Sequence, residues 1–269
     1  MSRAFKFLPS LAAAALLTGL VCAQTADHAV ARSDPNSQLA HAQLLEKARR
    51  GGIDIYFEGD SITRRWDATD YPEAQANWNR NFFGWNAADF GWGGDTIQNI
   101  LWRIEHGELD GVNPKIIVIL AGTNNVGPRA ADDAKVADIT RGLRALVDLC
   151  RAKAPGATLV LTAIFPRNDN LAALPAINRI NASLAQFADG KKIRFVNVND
   201  QLADADGRLF DGMMVDKLHP TVRGYQIWAD ALKPIFTEIL GPPAATDHAP
   251  PPTGDPSAAG KSLSVTPKP

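Results

Sequence analysis

The chain has 269 residues, 45% of them hydrophobic and 21% charged, with a formal net charge of −1. This suits one globular domain with appendages and excludes a chain built chiefly to grip nucleic acid, which would carry a basic footprint. Two cysteines exclude a disulfide scaffold and a cysteine-rich zinc module.

Residues 1–23 read as a secretory leader. Arg3 and Lys6 give a positive start, Leu11 to Cys22 is an apolar run too short for a spanning helix, and Ala23 ends a small-residue cleavage site. The expectation is a secreted or periplasmic protein with no membrane span after leader removal. A lipoprotein anchored through Cys22 is the alternative. Residues 24–35 are expected to be a polar linker.

The folded unit is expected over 36–240. A helix is predicted from Gln38 to Arg50, stopped by Gly51-Gly52. A strand follows at Ile53 to Phe57, a helix at Thr96 to His106, and a doubly buried strand at Lys115 to Leu120 (KIIVIL). Next come a long helix from Asp132 to Lys153, a strand at Thr158 to Thr162, a helix at Pro175 to Ala188, a strand at Ile193 to Val198 and a final helix at Thr221 to Ile239. This alternation predicts a parallel sheet covered by helices on both faces, with its site beyond the carboxyl ends of the strands. Residues 241–269 hold 8 of the 18 prolines and few apolar residues, so a disordered tail is expected there.

Four segments fall at strand ends or helix starts. Gly59-Asp60-Ser61 puts a serine hydroxyl on a tight turn, although Ser and Asp also cap helices. In Gly91-Trp92-Gly93-Gly94-Asp95-Thr96 a bare amide enters a helix, where it suits an oxyanion or an ordinary glycine loop. In Gly122-Thr123-Asn124-Asn125 an Asn amide follows a strand, as a neutral donor or as a plain turn. In Asp216-Lys217-Leu218-His219-Pro220 a carboxylate precedes an imidazole by three residues and can orient it through Nδ1–H, unless Pro220 merely starts the helix.

Together, and in this order, the four segments resemble the signature blocks of the SGNH hydrolases, also called GDSL esterases, over about 53–239. Gly91 to Gly127, with Leu101-Trp102-Arg103 and Gly107-Glu108-Leu109, is similar to the α-type catalytic subunits of platelet-activating-factor acetylhydrolase. Bacterial secreted carbohydrate acetylesterases are also similar. The resemblance implies a three-layer α/β/α sandwich around a mainly parallel five-stranded sheet, of flavodoxin-like kind. It implies that Ser61 is the nucleophile and that Asp216 and His219 complete a triad. The oxyanion hole would comprise the N–H groups of Ser61 and Gly94 and the Asn124 amide. No cofactor or metal is implied, and the α-type subunits suggest a homodimer.

His41 and His106 lie on predicted helices, which leaves His219 as the base. Export and the resemblance point to O-acetyl groups on polysaccharide. Lysophospholipase, thioesterase or platelet-activating-factor-type hydrolysis is the alternative, and a non-catalytic carbohydrate-binding protein is a different class. Trp66 and Arg64, close after Ser61, are candidate substrate contacts. Core packing for the tryptophan and a solvated ion pair for the arginine are the plainer readings.

Overall fold

The computed structural model describes residues 25–259, so the expected leader, Cys22 and the last ten residues lie outside the described residues. In chain order the elements are α1 (Pro35–Arg50), β1 (Ile55–Gly59), α2 (Ser61–Asp67), α3 (Pro72–Phe82), β2 (Ala87–Asp89) and α4 (Ile97–Arg103). A π-helical turn at Ile104–Glu108 closes α4. Then come β3 (Ile116–Leu120), α5 (Thr123–Val126), α6 (Asp133–Lys153), β4 (Thr158–Thr162), α7 (Leu174–Ala185) and β5 (Ile193–Val196). The chain finishes with α8 (Asn199–Leu202), α9 (Val222–Leu240) and α10 (Pro256–Ala259).

The five strands form one sheet in the order β2-β1-β3-β4-β5, and every neighbouring pair is parallel. Every residue of β1, β3 and β4 is buried, as continuous apolar strands covered on both faces should be. Alternate strand residues serve opposite cores. Tyr56, Ile117, Ile119, Leu159 and Leu161 meet the aliphatic residues of α1, α4, α6 and α7. Ile55, Phe57, Ile116, Val118 and Val160 meet Trp66, Trp78, Phe82, Tyr225 and Trp228 from α2, α3 and α9. The expected three-layer α/β/α sandwich is therefore the fold observed.

The chain termini differ from expectation. The linker expected at 24–35 is docked wherever it is described. Ala26 is fully buried and its N–H donates to the Asp138 carboxylate (3.1 and 3.2 Å), while Val30 N–H donates to Gln98 O (2.9 Å). Arg32 Nη1 donates to Gly93 O (3.2 Å). The tail expected to be disordered from 241 is likewise ordered through 259. Trp85 Nε1 donates to Gly241 O (3.0 Å), Gly84 N–H to Asp247 Oδ2 (2.7 Å) and His248 N–H to Asn86 Oδ1 (2.7 Å). Farther on, Thr69 N–H donates to Thr253 O (3.2 Å) and Asn36 Nδ2 to Asp255 Oδ1 (3.0 Å). Low apolar content misleads here because polar and backbone hydrogen bonds anchor both arms.

Candidate active site

The carboxyl ends of β1 and β3 and the loops after β2 and β5 converge on one place. After β1, Asp60 caps α2 by accepting from Ile62 N–H (2.9 Å), which sets Ser61 at the first position of the helix. The turn requires Gly59, because a Cβ there would lie 2.2 Å from Thr63 Oγ1 and 2.5 Å from Leu120 O. The Asp60 carboxyl is pushed up to about 7, above all by burial, and its role is to cap a helix.

The loop before α9 supplies the other half. Lys217 takes a left-handed backbone (φ 69°), which folds Asp216 and His219 toward each other. His219 N–H donates to Asp216 Oδ1 (2.9 Å), and His219 Nδ1 lies 2.8 Å from Asp216 Oδ2. Val215 N–H donates to His219 O (2.8 Å) and Thr221 caps α9. Across the gap, His219 Nε2 lies 2.8 Å from Ser61 Oγ. Ser61, His219 and Asp216 thus form one hydrogen-bonded chain, although 158 residues separate the first two. Among the described residues, His41 pairs instead with Glu108 (2.7 Å) and His106 with Trp102 O (2.7 Å).

Electrostatics favour a neutral imidazole. Burial outweighs the hydrogen bond that His219 donates to Asp216, the Arg65 and Arg167 cations add to it, and His219 titrates below its ordinary value. For Asp216, partial burial is outweighed by the His219 backbone and ring hydrogen bonds and by Arg65. Its carboxyl is held down to about 2.

The glycine loop before α4 packs on the Ser61 turn, and α5 is tied to that loop. Gly94 has φ +79°, the left-handed region that glycine favours, and a Cβ on neighbouring Gly93 would lie 4.0 Å from Ser61 Cβ. The Asn124 amide reaches back from α5, with Nδ2 donating to Asp95 O (2.8 Å), so one of its two N–H bonds is fixed and the other is left to give. Asn125 Oδ1 accepts from Ile97 N–H (2.9 Å), tying α5 to the start of α4. The N–H groups of Ser61 and Gly94 donate to no acceptor among the described residues. Neutral donors of these kinds are what a developing oxyanion needs.

The two candidate substrate contacts fare differently. Trp66 is fully buried, stacked on Tyr225 and Trp228 (4.8 Å each), with Nε1 donating to Asn77 Oδ1 (2.9 Å). It is a core residue, and its candidacy as a substrate contact is corrected: helical spacing from Ser61 turns it into the sheet. Arg64 is held by both oxygens of Asp70 (2.8 and 3.0 Å) and lies over the Trp92 ring (4.9 Å), an internal ion pair rather than a free cation. Its neighbour Arg65 reaches the triad instead, with Nη1 3.3 Å from Asp216 Oδ2. Its contact with Asp216 crosses 151 residues, and nothing in the local sequence marks it.

A family model described as GDSL-like lipase/acylhydrolase matches residues 57–227. The chain belongs to the GDSL-like lipase/acylhydrolase family. Among curated relatives, the platelet-activating factor acetylhydrolase IB subunit alpha1 of Bos taurus is 30% identical over 218 residues, covering 80% of this chain and 89% of the relative. The same subunit of Homo sapiens is 31% identical over 202 residues, covering 74% and 82%. Among solved structures, a putative acylhydrolase from Bacteroides fragilis superposes with a TM-score of 0.60 at 22% identity, covering 77% of this chain and 99% of the other. A putative platelet activating factor from Streptococcus pneumonia gives 0.59 at 22%, covering 74% and 92%. The two solved structures share this fold.

Proposed function

We propose that this GDSL acylhydrolase is an exported serine esterase that removes short acyl groups, acetyl above all, from carbohydrate. The observation that carries the reading is the chain Ser61 Oγ–His219 Nε2–His219 Nδ1–Asp216 Oδ2, at 2.8 Å for both links. Neutral His219 takes the Ser61 proton as Oγ attacks the ester carbonyl, and Asp216 holds the imidazolium that forms. The oxyanion settles on Ser61 N–H, Gly94 N–H and Asn124 Nδ2. His219 then protonates the departing alcohol, and water, activated by the same imidazole, releases the acid from the acyl-serine.

A short acyl group fits the surroundings. Cavities of about 610, 470 and 400 Å³ are lined respectively by α1 with the C-terminal segment, by the 199–210 loop, and by Arg65 with Val215. None of these three is lined by Ser61, Gly94 or Asn124. The apolar leader sequence supports export. A second reading, an acetyl ester on a phospholipid, is favoured by the names of the curated relatives.

Hydrolysis of p-nitrophenyl acetate should exceed that of the octanoate by at least about tenfold, and acetate should be released from acetylated xylan. Equal turnover of the octanoate would overturn the acetyl preference. Acetate released from platelet-activating factor but not from xylan would favour the second reading.

A further inference from the structure

Beneath the site lies one buried guanidinium whose five N–H donors are all engaged. Arg103 Nε donates to Asp95 Oδ2 (2.7 Å), Nη1 to Phe90 O (2.9 Å) and to Glu108 Oε2, and Nη2 to Glu58 Oε1 (2.7 Å), with Gly59 O at 3.4 Å. Glu58 Oε1 in turn accepts from Gly59 N–H (3.0 Å). These partners are not scattered. Gly59 leads directly into Ser61, Phe90 into the glycine loop, and Asp95 follows Gly94 and offers its carbonyl to Asn124 Nδ2 (2.8 Å). Every group that flanks Ser61 as a neutral donor is therefore one or two residues, or one hydrogen bond, from a partner of this guanidinium. A planar fork with five fixed donors can hold three chain segments in register, which a flexible ammonium cannot.

We infer that Arg103 is a positioning residue for the oxyanion hole, setting the spacing of the Ser61 turn, Gly94 and Asn124 from below. The inference rests on reading those three groups as the oxyanion hole. Arg103 touches no substrate. Its effect passes through Asp95 and Gly59, so it should appear in the transition state and not in ground-state binding.

Removing Arg103 would strand three buried carboxyl groups and endanger folding, so the test uses its partners. Asp95 and Glu108 are both buried and both bind the same guanidinium. Glu108 also pairs with His41, and its hydrogen bonds among the described residues go to His41, Tyr56 and Arg103, none to the Ser61 turn or the Gly94 loop. Asp95→Asn and Glu108→Gln each replace one carboxyl by its amide, so they perturb the same cluster by the same chemical change. Asp95→Asn should lower kcat for p-nitrophenyl acetate by about 10–100-fold with KM within about threefold. Glu108→Gln should lower the melting temperature but leave kcat within about threefold. Hydrogen exchange followed by mass spectrometry should quicken at 59–62 and 91–96 in Asp95→Asn only. Should Asp95→Asn not fold, Asp95→Glu keeps the charge, displaces the carboxyl by one methylene, and should show the same contrast.

Equal losses of kcat in the two variants, or no difference in exchange between them, would reduce Arg103 to a structural ion pair and overturn the inference. If the wild-type protein cleaves no ester while the exchange contrast holds, the esterase reading falls and the positioning of the loops by Arg103 stands.

Discussion

The Gly94–Asn124 side of the site rests on charge removed from water, whereas the His219–Asp216 side rests on a loop left partly in it. The Asp95 side chain is 0% exposed and that of Arg103 4%, while the Asp216 side chain is 46% exposed. On the first side, partners come from β1, the loop after β2, α4 and the turn after it, and each is locked by the sheet. On the second, Val215 N–H donates to His219 O and His219 N–H to Asp216 Oδ1 within the loop, while Asn168 N–H, donating to Lys217 O (2.9 Å), and Arg65 reach it from elsewhere. The difference follows the chemistry. Oxyanion donors must not move while charge develops, but an imidazole must pass a proton between oxygen atoms that change place during the reaction.

The largest expected effect tests the looser half. Asp216→Asn should cut kcat by about 10⁴, because the imidazole loses both its tautomer and its imidazolium partner, with little change in melting temperature since the residue is half exposed. Steady-state rates at pH 8 with a thermal melt check this, and a fully active variant would remove Asp216 from its role.

A stability effect is next. Deleting 241–269 strips six hydrogen bonds from the segment entering β2, from Thr69 and from Asn36. At about 0.5–1.5 kcal/mol each, and about 2–4 °C per kcal/mol for a domain of this size, the melting temperature should fall by at least about 5 °C and by as much as roughly 35 °C. The pH dependence set by the His219 loop should not change. An unaltered melt would mean the docked arm contributes nothing to stability.

The smallest effect is a shift along the pH axis. His219 must be neutral to act, and burial with the Arg65 and Arg167 charges lowers its pKa, so the acid limb of kcat/KM should lie below the ordinary imidazole value of about 6.5. Arg65→Gln removes a cation facing the Asp216–His219 pair, so the imidazolium becomes easier to form. The acid limb should then move up by about half a unit. A downward shift would show that Arg65 acts chiefly by orienting Asp216.

Much of this was legible in the sequence, and the reasons differ by element. β3 and β4 declare themselves because a strand buried on both faces is an unbroken apolar run. β2 does not, since three residues, Ala87–Asp89, are too few to carry a period. α3 is hidden by its asparagines, which are weak helix formers, and shows only Trp78 and Phe82 as an apolar pair four apart. The residues that meet at the serine stand out only together: each segment alone reads equally well as a helix cap, a glycine loop or a turn, and it is the four in order that single them out. Trp66 misled because an aromatic residue near a nucleophile reads the same whether its ring faces ligand or core. Arg103 and Glu108 show in the sequence as part of the family resemblance but with no role attached: the guanidinium's partners come from Glu58, Gly59, Phe90, Asp95 and Glu108, and only the folded chain brings them together.

The aromatic core behind the nucleophile turn also gives the protein its optical character. Five of the six tryptophans are buried, Trp102 is half-buried, and Trp66 lies stacked between Tyr225 and Trp228 within the same cluster as Phe57 and Phe82. Rings held this closely and rigidly couple their transitions, so near-ultraviolet circular dichroism and indole emission report on the packing of α2, α3 and α9 against the sheet. On the opposite side of β1 the charged cluster has its own chromophore: Tyr56 donates its hydroxyl proton to Glu58 Oε2 (3.3 Å) and stacks on Phe90. Light therefore reads the two faces of the sheet through different rings, the indole cluster on one and a single hydrogen-bonded phenol beside Arg103 on the other.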